Sequence, residues 1–199
     1  MTTAVLVNTC QKYHYIVPCF LGLLNRYWHN ISFPIYVSTT GTGSELEEHK
    51  RIKDFRIINT EIDPGVLQAK LYGIEKIPEK LIILLQEDFL IERYVDDDLL
   101  KKIERIMTER EDIGCIRLMP SPQGTGITHH FYDVKLVEIK KDAMYSFSFQ
   151  VAIWRKSFLV KVMKDFLGIK KWEPDDRLDQ MIEINLLKHI FLKLIYLNV

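Results

Sequence analysis

Five apolar residues, Leu81 to Leu85, run without a break into Gln86, Glu87 and Asp88. A carboxylate at the end of a buried strand is costly unless something compensates its charge. A divalent cation is an effective partner. Mg²⁺ and Mn²⁺ favour carboxylates and water, and Mg²⁺ usually takes one or two protein carboxylates together with substrate phosphate oxygens. A diphosphate held by such a metal leaves more easily, because the metal stabilises the developing negative charge. A strand-end turn with solvated acids, or acids capping the next helix, accounts for the same spacing equally well.

Other residues could join this chemistry. Arg117 is the sole charged residue in "IGCIRLMP", and a buried arginine usually needs an anionic partner. Glu87 or Asp88 could supply it, or a sugar or phosphate could. "STTGTGS", Ser38 to Ser44, could approach a nucleotide through its backbone. Gly41 and Gly43 nevertheless form neither a P-loop nor a full dinucleotide fingerprint, so an ordinary turn is the preferred reading. His129 and His130 have no second ligand pair at useful spacing and read as part of a solvated loop.

The elements that position these residues follow from the apolar pattern. "TAVLVNTC", "FPIYVSTTG", "FRIINTE", "KLIILLQED" and "IGCIRLMP" read as five buried strands. Between them, "YHYIVPCFLGLLNRYW" reads as a helix with Pro18 near its first turn, and "SELEEHKRIKDF" as a helix capped by Ser44 with Glu47 in a capping box. "DPGVLQAKLYGIEKI" is expected to start with Asp63 as N-cap and Pro64 at the first helical position. Its apolar residues Leu67, Leu71, Ile74 and Ile77 would form one face. "DDDLLKKIERIMTER" is a helix with acids at its positive end. Alternation of strand and helix predicts an α/β fold with a mainly parallel sheet flanked by helices. Ligands of such sheets bind beyond the carboxyl ends of the strands. Parallel strands would therefore gather Asn8-Thr9, Ser38 to Thr40, Asn59-Thr60, Gln86 to Asp88 and Arg117 at one edge.

The second half differs. "SPQGTGITHH" reads as a loop, "FYDVKLVEI" and "YSFSFQVAIW" as strands able to pair antiparallel, and "SFLVKVMKDFL" as a helix. If 145–154 is one strand, Ser146, Ser148 and Gln150 share a face. "GIKKWEPDDRLD" is a loop, and "QMIEINLLKHIFLKLIY" is expected as a closing helix. The reading is one domain, residues 1–199, with a first half over 1–119 and a mixed half over 120–199.

Composition limits the classes of function. The 199 residues carry 27 basic and 27 acidic side chains, so the net charge is zero and a general nucleic-acid binder is disfavoured. Three cysteines at non-metal spacings, without a signal-peptide pattern, read as reduced, buried thiols in a cytoplasmic compartment. No apolar run reaches the ~20 residues needed to span a bilayer. The apolar C-terminal stretch leaves a peripheral membrane contact as a minor alternative.

The order of motifs resembles the nucleotide-sugar-dependent glycosyltransferases of the GT-A fold, in particular a small microbial and viral glycosyltransferase-like group. The resemblance rests on "LLQEDF" followed by a helix and "GCIRLMP", then "SFQVAIWRKSFL" and a "WE" element. Most of residues 3–180 fit this order. It implies that Asp88 matches the metal-chelating aspartate of the acidic motif and binds Mn²⁺ or Mg²⁺. Gln86 replaces that motif's first acid, with Glu87 sharing its role. It further implies that Asn8, Thr9 and Tyr13 contact the base and ribose of a nucleotide-diphosphate-sugar donor. Gln150 and Arg117 would face the donor sugar or its phosphates. In "WEPDD", Glu173 or Asp175 would be the base that activates an acceptor hydroxyl in an inverting transfer, with Asp176 nearby and Trp172 against a sugar ring. A solvated acidic loop is the competing reading there. The acceptor would be a glycan or a lipid-linked hydroxyl, as in polysaccharide biosynthesis. Two alternatives stand beside this one: a non-catalytic GT-A-like protein that binds a glycan or a partner, favoured by Gln86 and the short chain, and a nucleotidyltransferase, disfavoured by the absence of glycine in "VLVNTCQKYHY".

Overall fold

The computed structural model describes residues 2–60, 64–119, 124–140, 147–169 and 193–197. The chain forms two compact units, Met1–Lys101 and Lys102–Val199.

In the first unit the strands β1 (Thr3–Asn8), β2 (Ile35–Thr39), β3 (Arg56–Asn59) and β4 (Leu81–Gln86) lie in the order β3-β2-β1-β4. Every neighbouring pair is parallel. β1 and β2 are buried throughout and β4 is buried from Leu81 to Leu85. That explains their unbroken apolar sequences, because a parallel sheet covered on both faces has no polar face to alternate with. Helix α1 (Val17–Tyr27) links β1 to β2 and carries proline in its first turn. Helix α2 (Val66–Lys76) links β3 to β4 and contacts β1, β2 and β3. From β1 the chain steps through β2 to β3 and then crosses back to β4 on the far side of β1. Right-handed crossovers therefore place α1 and α2 on opposite faces. The reversal lies between β1 and β4.

Three local expectations change here. "SELEEHKR" forms a 3-10 helix capped by Gly43 at φ 65°, with no side-chain cap. Ser44 Oγ is instead 3.0 Å from Thr42 Oγ1, and Glu47 pairs with Lys50 at 2.8 Å. Helix α2 starts after Pro64, at Val66, with Gly65 as its cap, and Asp63 lies outside the described residues. The buried face of α2 contains Lys70, Gly73 and Ile74, while Leu67 and Leu71 are only half-buried. Cys115 is buried as expected, whereas Cys19 is exposed.

Helix α3 (Asp97–Glu109) continues from the first unit into the second, and the Asp96 carboxylate accepts from the Leu99 amide at 2.9 Å at its start. The second unit contains β5 (Ile113–Arg117), β6 (Gly124–Phe131), β7 (Val134–Ile139), β8 (Ala152–Arg155), helix α4 (Lys156–Ile169) and β9 (Lys193–Leu197). The strand order is β8-β5-β9-β7-β6. β5 pairs antiparallel with β8 and parallel with β9; β7 pairs antiparallel with β9 and β6.

The expected loop at "GTGITHH" is thus a strand. Its glycines mark an irregularity: Gly126 has φ 83°, and the register shifts between Gly124 and Thr128. Glycine inside a strand often signals a bulge rather than a loop. The end of the expected C-terminal helix is strand β9, placed between β5 and β7. An uninterrupted apolar run fits a central strand as well as a buried helix, and periodicity alone does not separate them. The strand expected over 145–154 is confined to Ala152–Arg155. Phe147 instead packs its ring on Phe149 and Trp154, and Leu118 donates to the Val151 carbonyl. Ser148 and Gln150 therefore precede the strand rather than sharing one of its faces.

Candidate functional site

The carboxyl ends of β1, β2 and β4 lie side by side. Asn8 is the register partner of both Ser38 and Gln86. Beyond these ends opens a cleft of about 160 Å³, lined by Asn8, Thr9, Cys10 and Tyr13, by Ser38 to Thr40, by Gln86 and Glu87, and by Val66, Ala69 and Lys70 of α2. It sits at the point where the strand order reverses, the usual ligand position in open α/β sheets.

Most residues lining the cleft carry a polar group. Asn8 is 6% exposed and its Nδ2 has no hydrogen-bond partner among the described residues. A buried donor left unpaired costs ~1–3 kcal/mol, so a ligand carbonyl reaching it would recover that loss. Lys70 is 7% exposed and donates from Nζ to Gln86 Oε1 at 3.1 Å. Gly73 lets α2 come this close: a Cβ there would lie 2.3 Å from Ser38 Oγ. His14 braces the other side. Its Nε2 lies 2.6 Å from Thr39 Oγ1 and its Nδ1 3.1 Å from Glu45 Oε2. The Thr39 hydroxyl also reaches the Thr40 carbonyl at 3.0 Å.

Glu87 is 9% exposed, and its amide donates to the Asn8 carbonyl at 3.3 Å. Burial pushes its carboxyl above the ordinary value. Its backbone hydrogen bond pulls the other way, the Asp88 charge adds to the rise, and Lys70 and His14 oppose it. Asp88 is exposed and does not line the cleft. Among the described residues no three His, Cys, Asp or Glu side chains converge as a metal site.

Five of the expected donor-site residues, Asn8, Thr9, Tyr13, Gln86 and Glu87, therefore line one cleft. Arg117 and Gln150 belong to the second unit. Arg117 is buried there and donates to Ser148 Oγ at 2.8 Å, while Gln150 is exposed. Trp172, Glu173, Asp175 and Asp176 lie outside the described residues. Arg155, at the end of β8, donates to the carbonyls of Met107, Arg110 and Ile113. His129, expected in a loop, lies on β6 with Nε2 3.4 Å from Glu138. Sequence reasoning missed Lys70, Gly73 and His14. One signal was available: Lys70 takes the i+3 place between Leu67 and Ile74 in the apolar stripe of α2.

Among solved structures, the chain is similar to Staphylococcus aureus TarS residues 1–349, with TM-score 0.56 and 14% identity over 98% of this chain and 60% of that one. It is also similar to CMP:2-keto-3-deoxy-manno-octonic acid synthetase complexed with CTP, with TM-score 0.58 and 11% identity over 100% and 90%. A cytidylyltransferase from Leptospira borgpetersenii serovar Hardjo-bovis gives TM-score 0.54 and 13% identity over 98% and 75%. The chain thus spans less than two thirds of the TarS length it matches. No family profile and no curated protein matches it. These likenesses establish the α/β fold class shared by GT-A glycosyltransferases and nucleotidyltransferases, the class the residue pattern resembles.

Proposed function

We propose that this protein is a nucleotide-dependent transferase of GT-A-like fold that moves a sugar from a nucleotide-diphosphate-sugar donor to the hydroxyl of a glycan or lipid-linked acceptor. The observation that carries the reading is the buried Asn8 amide, unpartnered among the described residues, in a cleft at the strand-order reversal. An amide donor there suits a pyrimidine or purine carbonyl. Tyr13, 37% exposed beside it, offers a ring face to the base. Thr9 is placed for the ribose, and Lys70 supplies a fixed positive charge for the diphosphate.

Glu87 and Asp88 would suit a divalent cation: burial and then the Asp88 charge raise the cost of ionising Glu87, and a metal would relieve it. Two protein carboxylates with phosphate oxygens completing the shell is the usual Mg²⁺ arrangement. Asp88 would hold the metal, with Glu87 behind it. When bound, Mn²⁺ or Mg²⁺ would stabilise charge on the departing diphosphate. We assign Arg117 and Gln150 to the donor sugar and phosphates, and the acceptor-activating base to Glu173 or Asp175, which gives an inverting displacement.

A second reading, nucleotidyl transfer, draws support from the CTP-bound synthetase, whose length this chain covers to 90%. The two readings differ in product. Purified protein with Mn²⁺ and a panel of nucleotide sugars would release nucleoside diphosphate in the first case. With nucleoside triphosphate and a sugar acid or sugar phosphate it would release pyrophosphate in the second. Stabilisation by no nucleotide at all would overturn both.

A further inference from the structure

The first unit has a second concavity of about 480 Å³ at the other edge of its sheet. The nucleotide cleft proposed above lies where β1, β2 and β4 end. This pocket is lined by Ile35 and Arg56, where β2 and β3 begin. In a parallel sheet those are opposite edges. The pocket wall carries four cations, Lys50, Arg51, Lys53 and Arg56, against one acid, Asp54. The whole chain is neutral, so this excess is a local concentration of charge.

Of the four, only Lys50 has a carboxylate partner among the described residues, Glu47 at 2.8 Å. Lys53 donates to the His29 carbonyl at 3.0 Å. Arg56 donates through Nη1 to the Tyr36 hydroxyl at 3.0 Å and lies over the Tyr36 ring. Neither contact neutralises the charge, and both hold the side chain in place with donors to spare. Arg51 has no carboxylate partner among the described residues. Cations in the last turn of a helix are ordinary, because they offset its negative end. That accounts for Lys50 and Arg51, which end the 3-10 helix Ser44–Arg51. Lys53 and Arg56 lie beyond it and need another reason. Phe33 and Phe55 lie buried behind the wall, and the apolar surface beside the charges comes from the half-buried Ile31, Pro34 and Ile52.

We propose that this pocket binds a phosphorylated organic group, with Arg51, Lys53 and Arg56 on the phosphate oxygens and the Ile31, Pro34 and Ile52 side against the organic part. Guanidinium groups suit phosphate because their N–H fork matches two oxygens at once. The volume exceeds that of an inorganic phosphate and accommodates a sugar phosphate or a phospholipid headgroup. The site does not depend on the nucleotide reading of the first cleft.

The test uses ¹⁵N-labelled full-length protein and the Arg51→Ala/Arg56→Ala double variant. Both substitutions are at exposed positions, and a matching melting temperature confirms that the variant folds. Glucose 6-phosphate is titrated in one arm. In the other, protein is co-sedimented with phosphatidylcholine vesicles with and without phosphatidylglycerol. The expected result is a saturable perturbation of the amides of Ile52 to Arg56, weakened at least about tenfold in the double variant. The response of the variant to nucleotides should be unchanged. Binding to the sugar phosphate alone makes the source soluble. Binding only to the anionic vesicles, lost in the double variant, makes it a headgroup. Perturbation confined to Asn8–Thr40, equal binding by the double variant, or binding in neither arm would overturn the proposal.

Discussion

Lys70 Nζ donates a hydrogen bond to Gln86 Oε1 at 3.1 Å, joining helix α2 to the carboxyl end of β4 across the cleft. The glutamine in place of an acid thus has a structural consequence. A carboxylate at position 86 would pair with the ammonium and consume its charge. An amide oxygen orients the ammonium without adding a negative charge of its own.

Lys70→Met keeps the apolar stem and removes the charge. Loss of one charge-assisted contact to a phosphate costs about 1.5–3 kcal/mol, which is about a ten- to hundredfold weaker dissociation constant. Isothermal titration with nucleoside diphosphate should show it. The same variant should raise the Glu87 carboxyl further, since Lys70 now lowers it. Unchanged nucleotide affinity would remove Lys70 from the site.

Asp88→Ala tests the metal position. A ligand at 100 times its dissociation constant stabilises the native state by about 2.7 kcal/mol, several degrees in melting temperature for a chain of this size. The wild-type protein should show that shift with one nucleotide diphosphate plus Mn²⁺ and a smaller one without metal. The variant should retain only the smaller, metal-independent shift. Differential scanning fluorimetry is sufficient, and equal Mn²⁺ dependence in both proteins would place the metal elsewhere.

Glu87 predicts a pH dependence of stability. Its folded-state carboxyl is raised above the ordinary value by burial. The folded state therefore binds the proton more tightly than the unfolded chain. Stability from this group is complete below the ordinary carboxylate range and is lost as pH rises through the raised value. Glu87→Gln, which stays neutral, should melt higher than wild type above that window, and the difference should shrink as the pH falls through it. A gap of constant size across the titration would show that the carboxyl charge is not the cause.

The parallel half was legible because β1, β2 and β4 are buried and end abruptly in polar residues. Leu81–Leu85 before Gln86 is the clearest case. The same pattern located Asn8, Thr9 and Glu87 in the cleft, since a parallel sheet brings every strand end to one edge. Lys70 was harder to see because a lysine in an apolar stripe usually extends its ammonium out to water. His14 is defined by partners 25 and 31 residues away, Thr39 and Glu45, which no local pattern connects. In the second unit, tertiary pairing overrode local cues. Gly124 and Gly126 suggested a loop, yet β7 supplies the partner that makes the segment a strand.

Gly73 offers the sharpest test of how α2 is seated. In the middle of a helix, alanine is normally favoured over glycine by about 1 kcal/mol. Here the added Cβ would meet Ser38 Oγ at 2.3 Å and Ser38 Cβ at 2.7 Å. Ser38 is buried on β2, between β3 and β1, and has little room to give way. Overpacking of this kind costs about 1–3 kcal/mol, so steric cost outweighs helix propensity and Gly73→Ala should lower stability in urea denaturation. Ser38→Gly removes both clashing atoms. The double variant should recover the loss, and the two substitutions should be strongly non-additive, as expected for side chains in contact. Because Ser38 and Lys70 line the same cleft, the single Gly73→Ala variant should also weaken nucleotide binding by moving α2 outward. If Gly73→Ala is as stable as wild type, or if Ser38→Gly fails to rescue it, the close seating of α2 on β2 is wrong and the position of Lys70 falls with it.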